Sequence, residues 1–287
     1  MTGGFEEAGA RGDVLRIRDL LDEGLDRLHV RYTVRDGRGG LDETTALFAG
    51  ETDIAVVTPA AALRVLHRFE DLKGLFALGV IPRRGGIVVS ADATLPLDTV
   101  ADFATHTGRV TVATCADDGV SLMGFAVHRA MRMAGVGAGA VEFVYDDRPS
   151  ARFAEGEADI VIHDPMATPD WPDIVAERPV RYLPWGDRVL HGFAVQGWLP
   201  TTVRAGQLPL LRTDLPTLDC SDFAVLCRGD LDEELACRIA RFLARGCTPA
   251  QAAARADTPL PLHPGAARAY AELVADGVVA DVSLGSR

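Results

Sequence analysis

The segment Phe48-Ala49-Gly50-Glu51-Thr52-Asp53-Ile54-Ala55-Val56-Val57 returns in approximate form as Phe153-Ala154-Glu155-Gly156-Glu157-Ala158-Asp159-Ile160-Val161-Ile162. Each copy reads as the end of a helix, a tight turn and a buried strand. The glycine supplies a left-handed helix terminator, and the short β-branched run that follows suits a strand covered on both faces. Two such units roughly a hundred residues apart predict two similar lobes. At 287 residues the chain is also longer than one ordinary hydrophobic core encloses.

The rest of the chain alternates in the same way. Residues 11–26 carry Val14, Ile17, Leu20, Leu21 and Leu25 at helical spacing, and His29 to Val34 alternates like a strand. Gly37-Arg38-Gly39-Gly40 turns into a helix over 41–49, followed by a strand at 53–57 and a helix at 60–68. Two apolar stretches between Leu75 and Ser90, broken at Pro82-Arg83-Arg84-Gly85-Gly86, predict the passage out of the first lobe. A strand at 109–114, a helix at 120–134, a strand at 141–145, a helix at 149–156 and a strand at 159–162 make the second. The return passage is expected within 180–196, ahead of helices at 232–245 and 264–276. Strands alternating with helices predict an α/β fold of mainly parallel sheets flanked by helices. The first lobe would hold residues 1–82 and 190–287, the second 83–189.

Charge and cysteine content exclude several classes of function. A formal net charge of −12, with scattered basic residues, leaves no surface suited to neutralising phosphates, so no nucleic-acid partner is expected. Cys115, Cys220, Cys227, Cys237 and Cys247 are odd in number and form no CxxC pair, so neither a disulfide framework nor a zinc site is indicated. Met1 to Glu7 has no basic or apolar leader and no run is long enough to span a membrane, so the chain as it stands reads as cytoplasmic, without membrane insertion. A trimmed start would instead place it outside the cytoplasm. No phosphate-binding loop, HExxH, nucleophile elbow or dinucleotide fingerprint occurs, and no cofactor or metal is expected.

Three segments carry a family resemblance. Gly39-Gly40 with Gly50-Glu51-Thr52-Asp53-Ile54-Ala55-Val56-Val57, then Leu262-His263-Pro264-Gly265-Ala266-Ala267-Arg268-Ala269-Tyr270, then Ser221-Asp222-Phe223-Ala224-Val225-Leu226-Cys227 resemble the solute receptors of the TAXI branch of TRAP transporters. More loosely, they resemble the pyrimidine-precursor (NMT1/THI5-like) binding proteins. The resemblance implies a two-lobed clamp of periplasmic-binding-protein type II that closes on one small carboxylate or amino-acid-like ligand. It also implies membrane subunits of a transporter as partners if the chain is a receptor. The chain departs from the family in placing Thr2-Gly3-Gly4 at its very start, without the opening strand and signal peptide. The same fold hosts cytoplasmic biosynthetic enzymes (dehydratases, decarboxylases, THI5-like synthases), so an enzyme acting on a small polar metabolite is the alternative.

Ligands of open parallel sheets sit beyond the carboxyl ends of the strands. That rule selects Gly3, Gly4, Arg38, Gly39, Gly40, Thr58, Thr114, Cys115, Ala116, Asp117, Asp118, Ser121 and His163 as candidate ligand contacts. The segment from Thr114 to Ser121 opens an apolar helix whose free N–H groups favour an anion. Asp117 and Asp118 can cap that helix, hold a cationic ligand group or act as acid and base. Cys115 is either a small packing residue or a thiolate nucleophile favoured by the helix dipole. His163, with Asp164 after it, offers an imidazole and a carboxylate, although neighbours on a strand point to opposite faces. His128 reads as a core histidine and His263 as a cap for the last helix. Tyr32, Trp171, Trp185 and Trp198 suit either a cleft floor or packing.

Overall fold

The computed structural model describes residues 2–4, 22–27, 29–37, 39–69, 72–115, 120–137, 139–245 and 249–278. The described residues fall into two compact α/β units, Arg84–Cys220 forming the second and the remainder the first. The chain leaves the first unit after Arg83 and re-enters it after Cys220.

The first unit holds a five-stranded sheet in the order β2-β1-β3-β12-β4, from β1 (Thr2–Gly4), β2 (Arg35–Gly37), β3 (Ile54–Val57), β4 (Leu75–Ile81) and β12 (Phe223–Arg228). Strand β1 pairs parallel with β2 and β3, whereas β12 runs antiparallel between β3 and β4. Residues 22–27 are helical (α1), and α2 (Gly40–Phe48) and α3 (Ala60–Phe69) flank β3 in sequence. All four residues of β3 are buried, as a doubly covered strand requires. The alternation over 29–34 does not become a strand. His29 adopts a left-handed φ of 54° and Val30 N–H returns to Leu25 O, so α1 is terminated there and the strand begins only at Arg35.

The second unit is built on β5 (Gly86–Asp92). Its sheet runs β10-β11-β5-β8-β6-β7, with β6 (Val110–Thr114), β7 (Val141–Tyr145), β8 (Ile160–His163), β10 (Pro200–Val203) and β11 (Leu215–Asp219), and β9 (Val180–Leu183) also pairs with β5. Strands β6, β7 and β8 are parallel, while β5 runs antiparallel to β8 on one edge and to β9 and β11 on the other. Both sheets are therefore mixed, a parallel portion extended by antiparallel strands. The expected return at 180–196 and the boundary at 190 differ from this arrangement, because residues through Asp219 pair within the second sheet. Helices α4 (Leu122–Ala134), α5 (Pro149–Ala154), α6 (Trp171–Glu177) and α7 (Asp187–Val195) belong to this unit.

The two sequence echoes form the same device. After α2, Gly50 takes φ 70° and donates to Leu47 O while Glu51 donates to Ala46 O. After α5, Gly156 takes φ 78° and donates to Phe153 O while Glu157 donates to Arg152 O. Both are the paired 5→2 and 6→1 closure of a left-handed glycine cap, and each feeds a fully buried strand.

The C-terminal part of the first unit carries α8 (Glu233–Ala244), α9 (Pro249–Ala256) and α10 (Pro264–Ala275), with α10 packed on α8. A β-carbon on Gly265 would overlap Glu233 O, so that position requires glycine for the close approach of the two helices. His263 caps α10, its Nδ1 accepting from Gly265 N at 3.3 Å, and the buried Tyr270 hydroxyl donates to Leu78 O at 3.2 Å. Among the described residues no helix is long and apolar enough to cross a membrane.

Candidate functional site

In the first unit, parallel pairing brings the carboxyl ends of β1, β2 and β3 to one edge of the sheet. Gly3 faces Asp36 and Val56 in register, and Gly4 faces Gly37. Gly39 is extended and precedes Gly40, the first residue of α2, and as a glycine it brings no capping side chain of its own. Gly4 and Gly37 end β1 and β2 at that edge, and Gly39 and Gly40, both buried, lead from it into α2. Arg38 lies outside the described residues.

Glu43, in the first turn of α2, has only 1% of its surface exposed. Its carboxylate fills the space a β-carbon on Gly37 would take, with its Cγ 2.7 Å from that position. Sequence reasoning missed this residue, because a glutamate in a first helical turn reads as a solvated partner of the helix dipole. Thr58, directly after β3, is buried and donates its hydroxyl to Asp222 O at 3.2 Å.

In the second unit, the carboxyl ends of β6 and β8 gather Thr114, Cys115, His163 and Asp164. Thr114 is fully buried and its hydroxyl donates to Ile162 O at 3.0 Å, joining the two strands. Cys115 is buried, with its Sγ 4.0 Å from Ser121 Oγ. Ser121 caps α4, accepting from Met123 N and Gly124 N at 3.1 Å each. Ser121, which stands directly before the helix, is its N-cap residue. Ala116, Asp117 and Asp118 lie outside the described residues.

His163 is wholly buried, edge-on to the Trp171 ring at 4.4 Å, and burial pushes its pKa down to about 3. Its Nδ1 lies 3.2 Å from Thr168 Oγ1, and that hydroxyl gives its own proton to Asp164 O at 3.0 Å. Nδ1 must therefore carry the hydrogen, which leaves the lone pair of the neutral ring on Nε2. Asp164 turns the other way. Its Oδ1 accepts from Met166 N at 3.1 Å and from Gly86 N at 3.5 Å, capping the short turn Pro165–Ala167 and tying it to the start of β5.

Of the aromatic candidates, Trp171, Trp185 and Trp198 pack as core, whereas Tyr32 is half-buried. Trp171 Nε1 donates to Tyr182 Oη at 3.1 Å, Trp185 Nε1 to Ile87 O at 2.8 Å and Trp198 Nε1 to Asp219 O at 2.8 Å. His128 is half-buried at the sheet edge, 2.9 Å from the exposed Tyr145 hydroxyl, rather than in the core. Among the described residues no group of three His, Cys, Asp or Glu is placed to hold a metal ion.

No family model matches the chain, and no curated protein matches it. Solved structures do. XAC2383 from Xanthomonas citri, bound to chloride ion, is 13% identical over 97% of this chain and 96% of its own, with a TM-score of 0.51. PhnD1 from Prochlorococcus marinus, in complex with methylphosphonate, is 13% identical over 85% of this chain and 83% of its own, with a TM-score of 0.54. At such identity the likeness is one of fold. The chain has the α/β fold of periplasmic-binding-protein type, with two sheets flanked by helices.

Proposed function

We propose that the chain binds one small polar solute carrying an anionic group, of the carboxylate or amino-acid-like class, and that it closes its two units on that solute. The observation that carries this reading is the run of glycines, Gly4 and Gly37 at the strand ends and Gly39 and Gly40 at the start of α2, whose N-cap residue is itself a glycine. Backbone N–H groups at a helix start attract an anion, and glycines let it approach closely. Gly3, Gly4, Arg38, Gly39, Gly40 and Thr58 would contact it from the first unit. Thr114, Cys115, Ala116, Asp117, Asp118, Ser121 and His163 supply the candidate contacts of the second. The fold shared with a structure in complex with methylphosphonate supports the same class of reading. Within that class we assign the chain to receptors of the TAXI kind, whose partners are the membrane subunits of a transporter.

Native mass spectrometry of the freshly purified chain tests the proposal. The expected result is one retained small molecule, lost from a Gly40→Val variant that stays folded. No retained mass, together with no thermal shift in a panel of amino acids, dicarboxylates and methylphosphonate, overturns it. A retained mass that converts to another during incubation replaces the binding reading with the enzyme alternative.

A further inference from the structure

Asp222 adopts a left-handed φ of 65° two residues after the chain leaves the second unit, and three bonds from other parts of the first unit converge on its acceptor atoms. Its carbonyl accepts from the Thr58 hydroxyl and from Ala60 N–H, each at 3.2 Å. Its side-chain Oδ1 accepts from Arg83 N–H at 2.8 Å, and its own N–H returns to Arg83 O at 3.1 Å. One residue thus joins the turn after β3, which carries Thr58, to the last residue before the chain leaves this unit.

We propose that Asp222 is a positioning residue that couples the Thr58 hydroxyl to the departing segment at Arg83. The coupling rests on the reading of Thr58 as a ligand contact, and it names how that contact is felt elsewhere. A ligand oxygen that accepts the Thr58 proton withdraws it from Asp222 O, leaving Ala60 N–H as that carbonyl's remaining donor of the two. The carbonyl lies on the far side of the Asp222 ψ bond from the N–H that holds Arg83 O, so reorienting it strains both bonds to Arg83. Aspartate suits the position because it tolerates left-handed backbone and its short side chain bonds a nearby backbone N–H.

Site-resolved amide hydrogen exchange on the full chain, without added ligand, tests this. Thr58→Val, which removes the hydroxyl, is expected to speed exchange at Arg83 N–H by about threefold to tenfold, the range a single hydrogen bond commands. Thr58→Ser is expected to stay within about twofold of the native rate, and so is Asp222→Asn, which keeps both the backbone preference and an acceptor. Asp222→Gly keeps the left-handed backbone without the carboxylate, so Arg83 N–H should already exchange fast there, and adding Thr58→Val should change it less than about twofold. An Arg83 rate unmoved by Thr58→Val, or moved equally in the Asp222→Gly background, overturns the coupling. Should Thr58→Val fail to fold, the Asp222→Asn and Asp222→Gly pair decides alone, since equal Arg83 rates in the two overturn the proposal. A Thr58→Val protein that loses its retained ligand while Arg83 exchange stays native refutes the coupling and leaves the binding reading standing.

Discussion

The Glu43 carboxylate occupies the volume that a side chain at Gly37 would need, so the end of β2 and the first turn of α2 interlock through a missing β-carbon. Gly37→Ala must displace a buried side chain whose Cγ stands 2.7 Å from the new atom. Overpacking of this kind costs about 1–3 kcal/mol. Urea unfolding should show the lower midpoint, and a Gly37→Ala, Glu43→Ala double variant should recover part of the loss.

Ser121→Ala removes the acceptor that holds Met123 N–H and Gly124 N–H at the start of α4. The expected loss is about 0.5–2 kcal/mol, and Ser121→Asp should retain most of the stability because aspartate caps as well as serine. Chemical denaturation of the two variants side by side checks this.

His163 makes stability depend on pH in a defined direction. Burial lowers its folded pKa to about 3 from an ordinary 6.5, so between those values the unfolded chain binds a proton that the folded chain refuses. Its contribution is complete above about pH 6.5 and is lost as pH falls toward 3, on the order of a few kcal/mol across the window. His163→Asn, which can still reach Thr168, should flatten the slope of unfolding free energy between pH 7 and pH 5. An unchanged slope would assign the dependence to other groups.

Asp164→Ala leaves Met166 N–H and Gly86 N–H without the oxygen they share. Burying donors whose acceptor is removed costs about 1–3 kcal/mol, and amide exchange at Gly86 should rise with it. The same variant with native stability would free Asp164 from its structural role.

Much of the architecture was legible because the signals were local. The echo around Gly50 and Gly156 foretold two helix ends of the same geometry, each followed by a four-residue buried strand. Periodicity also placed α4, α8 and α10 to within a few residues. Pairing between distant strands left no such trace. Nothing near Leu215–Asp219 tells that it joins β5, more than a hundred positions earlier in the chain, so the return passage was expected too soon. Thr58 does stand directly after β3, and Thr114 and His163 at the ends of β6 and β8, the positions local pattern gave them. Local pattern did not reveal Glu43 or Asp222, whose surroundings come from remote segments: Glu43 is defined by a glycine on another strand and Asp222 by Arg83. Opposite-face reasoning for His163 and Asp164 matched their separate partners, Thr168 for the ring and Met166 and Gly86 for the carboxylate.

The position of β12 between β3 and β4 sets an order of assembly on the ribosome. Residues 223–228 lie among strands made from the first 81 residues, so the amino-terminal part of the chain emerges with a gap in its sheet. The second unit needs nothing beyond Cys220 and can complete its ladder while the first still waits. Translation therefore delivers the inserted unit before β12, and the apolar edges of β3 and β4 stay open to chaperones and to mispairing until Phe223–Arg228 has been made.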